Sequence, residues 1–180
     1  MRMWKFIPAF ITAVCMAAPA AIAQPSTSLI VDVEWLSQHL KVPDLVVLQV
    51  GTREEYAAEH ISGSRLINEE DLSAPHNHSD LKDMMLELPD AATLRTQVAK
   101  FGVSDTSRVV VVFSAPEALQ SATRVIFTLD YLGLGERTSL LNGGLAAWKR
   151  AGKPVTTVVP SPSRGTLAAP VREKLVVDAA

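Results

Sequence analysis

RVVVVFSAPEALQSATR, residues Arg108 to Arg124, decides how the rest of the chain is read. Four consecutive valines and Phe113 suit a strand buried inside a sheet, and Ser114-Ala115-Pro116 breaks the run. Residues 117–132 then read as a helix with Val125, Phe127, Leu129 and Leu132 buried and with Gly133 and Gly135 ending it. Strand, short loop and helix make the unit of a parallel α/β sheet, in which ligands bind outside the carboxyl ends of the strands. The loop after Phe113 is therefore the first place to look for chemistry. It offers the hydroxyls of Ser114 and Ser121, a proline and no cysteine.

Outward from this unit the same alternation recurs. Leu29-Ile30-Val31 reads as a strand, and Asp32 caps a helix carrying Val33, Trp35, Leu36 and Leu40. Leu45 to Val50 reads as a second buried strand, Glu54 to His60 as a short helix with Tyr56 inward, and Leu66-Ile67 as a third strand. Residues 68–88 are polar and read as a long loop. Asp90 caps a helix with Leu94, Val98 and Phe101 on one face, ending at Gly102. Thr138 to Leu141 is a last strand, Asn142-Gly143-Gly144 a tight turn, and Leu145 to Arg150 a helix anchored by Trp148. Beyond Val158 the prolines 160, 162 and 170 and Gly165 read as a linker.

The 180 residues are 48% hydrophobic with a formal charge of −2, which suits one globular domain with a real core. The near-neutral balance argues against a nucleic-acid footprint and a polybasic membrane patch, since both depend on clustered Lys and Arg. Arg2 and Lys5, an apolar stretch from Phe6 to Pro19, and Ala21-Ile22-Ala23 before Gln24 form a secretory leader with an A-x-A cleavage site. Residues 1–23 are therefore expected to be removed, which places the product in the periplasm or outside the cell. Cleavage takes two basic residues and no acid, leaving 15 Lys and Arg against 19 Asp and Glu, a net of −4. It also takes Cys15, the only cysteine, so the processed chain has no thiol.

Several stretches together resemble a rhodanese domain, and in particular the amino-terminal half of a two-domain thiosulfate sulfurtransferase. SLLNGGLAAWKRAGKPV, from Ser139 to Val155, resembles the family's closing "LNGG…W…G.PV" motif, bringing Asn142, Gly143, Gly144 and Trp148. Glu54 to Gly63 resembles the "eeY…GHIPGA" stretch, bringing His60 and Gly63. Leu88-Pro89-Asp90 through Arg108 resembles the helix and turn before the active-site strand, and Arg124 matches an arginine of first-half domains. The likeness spans residues 29–158. It implies a rhodanese-like α/β fold, a parallel five-stranded sheet with helices on both faces, and no cofactor. It also implies a catalytic cysteine after the fourth core strand, whose thiolate takes sulfane sulfur from thiosulfate and passes it to cyanide or another thiophile.

That cysteine position falls on Ser114. A hydroxyl has no accessible anion near neutral pH without a base and forms no stable persulfide analogue. The loop also shows Ala115-Pro116-Glu117-Ala118-Leu119 in place of the "C-x-x-G-x-R" form, and Gln49 and Gly51 replace the family's Asp-x-Arg pair. Pro116 removes an N–H donor and Glu117 adds a charge hostile to an anionic substrate. First halves ordinarily lack the cysteine, so the resemblance implies a domain silent by itself that serves a cysteine-bearing rhodanese partner. The alternative expectation is a fragment of an active two-domain enzyme. Leu175-Val176-Val177-Asp178-Ala179 restates Leu29-Ile30-Val31-Asp32-Val33, so residues 175–180 read as the start of a second domain after a 159–174 linker. His60 and Arg124 are expected to be structural, and a third class, copper or zinc binding through His76 and His78, falls in the 68–88 loop.

Overall fold

The computed structural model describes residues 28–74 and 87–176, so the expected leader, His76 and His78, and the last four residues lie outside the described chain. Five strands form one parallel sheet: β1 (Ile30–Val31), β2 (Leu45–Val50), β4 (Arg65–Ile67), β5 (Arg108–Phe113) and β6 (Thr138–Leu141), in the spatial order β1-β6-β5-β2-β4. Between them run the helices α1 (Val33–His39), α2 (Arg53–Ala58), α3 (Ala91–Ala99), α4 (Leu119–Leu129) and α5 (Gly144–Arg150). Two further strands, β3 (His60–Ile61) and β7 (Val155–Thr156), pair antiparallel as a separate ribbon.

The unbroken apolar character of β2 and β5 follows from their central position. Successive side chains point to opposite faces, and both faces are covered. Val46, Leu48 and Val50 with Val109 and Val111 pack under α3 and α4, whose Leu94, Val98, Ala122, Val125 and Leu129 are buried with them. Val47, Val110 and Val112 pack on the other face with Leu36 of α1 and Leu145 and Trp148 of α5. A fully buried Leu or Val side chain contributes about 1.5–3 kcal/mol, so these two layers dominate the stability of the fold.

The helix starts follow the capping chemistry. Asp32 accepts from the Trp35 N–H at 2.7 Å, and Asp90 accepts from the N–H groups of Ala92 and Thr93 at 2.9 and 3.0 Å. Thr52 and Glu55 form a reciprocal capping box that starts α2 at Arg53. The helix expected to run to His60 stops at Ala58. Glu59 turns extended at φ −164° and ψ 136°, and His60 instead opens β3, where it pairs with Thr156.

The 117–132 helix is also revised. Pro116–Ala118 forms a tight 3₁₀ turn, α4 runs from Leu119 to Leu129, and a wide turn over Asp130–Leu134 closes it. Gly133 takes φ +88° as expected of a terminator, whereas Gly135 stays right-handed at φ −54°. Phe127 was expected inside and is 36% exposed. It lies about 200° around the helix from Val125, which holds the sheet-facing side. Within the loop expected over 68–88, Glu70–Leu72 makes a 3₁₀ turn that buries Leu72.

The stretch expected as a linker has no helix or strand between Thr156 and a 3₁₀ turn at Glu173–Leu175, yet it is bound along the domain. Gly165 N–H donates to Ala99 O at 2.8 Å, Asp105 N–H to Thr166 O at 3.1 Å, and Arg172 N–H to Tyr131 O at 2.8 Å. Leu167 and Val171 pack against the α3/α4 core layer.

Candidate functional site

The register of the central strands brings three loops to one row. Val50 lies opposite both Ile67 and Phe113, so β2, β4 and β5 end together and release Gly51, Asn68 and Ser114 side by side. Ser114 N–H donates to Val50 O at 2.8 Å, which holds the start of the loop in line with the sheet. A cavity of about 350 Å³ opens at this row, floored by Val50, Ala115 and Ala118 and edged by Glu55, Glu69, Glu70 and Glu117. Its lining contains four carboxylates and no lysine or arginine, so its field repels an anion.

Ser114 stands beside this cavity without lining it. Its hydroxyl accepts from the amide of Gln49 at 3.1 Å, and a side chain at Gly51 would meet that hydroxyl at 2.5 Å. An amide donor is not a base, so this contact leaves the hydroxyl unactivated. The loop's backbone donors are largely engaged: Ser114 N–H binds Val50 O, Ala118 N–H binds Ala115 O, and Leu119 N–H binds Pro116 O. Pro116 has none to give. Ser121 donates to Glu69 at 2.9 Å, and Glu55 accepts from the Thr52 N–H at 2.9 Å.

Gln49 is the residue that sequence reasoning passed over, noting it only as a replacement. It is 0% exposed and uses its whole amide. Its oxygen accepts from Ile61 N–H at 3.2 Å and Ser64 Oγ at 3.4 Å, while its nitrogen donates to Ser114 Oγ and, at 3.5 Å, to Glu59 O. One side chain thus fastens the Ser114 loop to the α2–β4 connection. The signal was a lone polar residue inside an apolar run, since such a group is kept only where its hydrogen bonds are met.

The other motif residues are spread through the frame. Gly143 and Gly144 take φ +71° and +57°, and a Cβ on Gly144 would stand 2.5 Å from Phe113 O. The glycine turn thereby lets the start of α5 close against the residue before Ser114. Asn142 is exposed, and its N–H donates to Val31 O at 2.9 Å. Trp148, 1% exposed, donates from Nε1 to Pro154 O at 2.9 Å. Gly63 turns the chain at φ +78°, and Arg124 lies half-buried on α4. His60 is 0% exposed and far from the Ser114 loop in role: its ring stacks on Tyr56 at 3.9 Å and its nitrogens meet Tyr56 O and Val158 O. Tyr56 donates its hydroxyl to Ser64 O, and burial raises its ionisation above the ordinary phenol range. Among the described residues no group of three His, Cys, Asp or Glu is placed to hold a metal ion.

Residues 32–151 match the model of the rhodanese-like domain. The chain is 32% identical over 164 residues to a probable 3-mercaptopyruvate sulfurtransferase of Pseudomonas aeruginosa, covering 86% of this chain and 56% of that protein. It is 30% identical over 148 residues to a thiosulfate sulfurtransferase of Azotobacter vinelandii, covering 79% of this chain and 50% of that one. It thus spans about half the length of these relatives. The crystal structure of SseA from Escherichia coli, a 3-mercaptopyruvate sulfotransferase, superposes with a TM-score of 0.70 at 24% identity over 84% of this chain and 58% of that one.

Proposed function

The chain belongs to the rhodanese-like domain family, and from that premise we propose that it is an exported sulfurtransferase-like domain, silent in sulfur transfer by itself, that serves as the scaffold half for a cysteine-bearing rhodanese domain. The observation that carries this reading is Ser114 at the end of β5. A hydroxyl there, hydrogen-bonded to a neutral amide, has neither the anion nor the polarisable atom that holding transferred sulfur requires. The glutamate-rimmed cavity supports it, because sulfur donors such as thiosulfate are anions. The basic and apolar leader ending in Ala21-Ile22-Ala23 supports the export part.

Incubating the chain processed after Ala23 with thiosulfate and cyanide tests the silence. Thiocyanate is expected at the level of a protein-free blank, and intact-mass analysis is expected to show no added sulfur after exposure to the donor. Thiocyanate well above the blank, or a gain of one sulfur atom, overturns the proposal.

A further inference from the structure

Chain leaving β7 crosses the domain as a strap. It is tied by Ser104, Asp105 and Ala99 in its middle, where Asp105 accepts from Ala168 and Ala169 N–H at 3.0–3.1 Å, and by Arg172 at its end. Its first tie is of a different kind: His60 Nε2 meets Val158 O at 3.0 Å while Nδ1 of the same ring meets Tyr56 O at 2.7 Å. Both partners are carbonyl oxygens, which only accept. A neutral imidazole carries one N–H, so it can satisfy one of these oxygens and must turn a lone pair on the other, whereas an imidazolium donates to both.

We propose that His60 is a proton-operated latch on the strap. When the ring takes a proton from solvent, the second nitrogen gains the hydrogen that turns a repulsive pair into a charge-assisted hydrogen bond, and the strap is clamped to the domain at Val158. When it gives the proton back, the one remaining hydrogen stays on Nδ1, whose carbonyl partner is the nearer at 2.7 Å, and the tie to Val158 O is the one lost. The ring cannot escape the choice by rotating, because it is fully buried and stacked on Tyr56 with an interplanar angle of 9°. Around it, α2 and its end contribute Tyr56 and Glu59, α5 contributes Lys149, which is paired with Glu59, and β4 contributes Arg65 beside Tyr56. Strand β7 and residues 157–159 contribute no titratable group. The latch has a consequence for shape. Just past Val158, the strap residues Val159, Pro160 and Pro162 form one wall of a cleft of about 470 Å³ whose other sides include Tyr56, Arg65 and Phe101. A clamped strap keeps that wall in place, and a released one opens it.

The test uses the full chain, with ring nitrogens of ¹⁵N-labelled histidine and backbone amide exchange followed between about pH 5 and pH 8, the range in which imidazoles titrate. The His60 ring is expected to carry both protons at the acid end. Protection of the Val158 and Gly165 amides, corrected for the intrinsic pH dependence of exchange, is expected to be roughly tenfold higher there than at the alkaline end, the effect of one charge-assisted hydrogen bond. In His60→Gln that difference should vanish, and in Tyr56→Phe, which keeps both carbonyls, it should remain. A ring that holds a single proton across the range, or corrected protection that does not change with pH, overturns the latch. The ring measurement needs no variant, so the proposal stays open to refutation even if His60→Gln fails to fold.

Discussion

Gln49 sits fully buried among apolar strand residues, a position that costs free energy unless its polar capacity is met, and here four partners meet it. Gln49→Leu keeps the volume and removes every tie. The Ile61 N–H is then left buried without its acceptor, so the expected loss is about 2–3 kcal/mol, read from the urea unfolding midpoint. Ser114→Cys asks a different question of the same junction. The substitution supplies the soft atom but leaves Pro116, the engaged loop amides and the four glutamates unchanged, so nothing new lowers the thiol's pKa or attracts an anionic donor. Thiocyanate production by Ser114→Cys is therefore expected to stay at the blank. Turnover by this single variant would show that the missing sulfur atom alone accounts for the proposed silence.

At the scale of elements, the caps tie local sequence to stability in a pH-dependent way. Asp90 starts α3, and the Thr93 hydroxyl and N–H groups hold its carboxyl below the ordinary value of 3.8. The ionised form is thus favoured in the folded chain, and its contribution is present above the usual carboxylate range and lost as pH falls through the folded value. Thermal melts of Asp90→Asn across that acid range are expected to show a shallower acid decline than the parent. Such caps were legible in the sequence, as were the five sheet strands, because apolar runs and capping residues act over neighbouring positions. The β3/β7 ribbon was not, since two-residue strands carry no period, and His60 and Thr156 meet across almost a hundred residues. Phe127 misled for the opposite reason: its apolar ring suggests burial, but two positions from both Val125 and Leu129 it falls off the helix face on which Ala122, Val125 and Leu129 meet the sheet.

For the whole molecule, the strap raises the question of whether the chain after β7 is part of the cooperative unit. Its prolines and glycine have the composition of a linker, and that composition says nothing of the backbone hydrogen bonds that fix Gly165, Thr166 and Arg172 to the domain. Two effects could hold it. Arg172 pairs with Asp130 at 3.0 Å and Glu136 at 3.6 Å, but these groups are 32–82% exposed, and such pairs contribute about 0–1 kcal/mol. Leu167 and Val171 instead pack on the α3/α4 layer, where a half-buried leucine contributes about 1–2 kcal/mol. Packing therefore outweighs the ion pairs. Leu167→Ala is expected to lower the midpoint of a single calorimetric transition by about 2–4 °C for each kcal/mol lost, with little response to added salt. A free tether would give an unchanged midpoint, because a side chain that touches nothing in the folded state has nothing to lose on truncation.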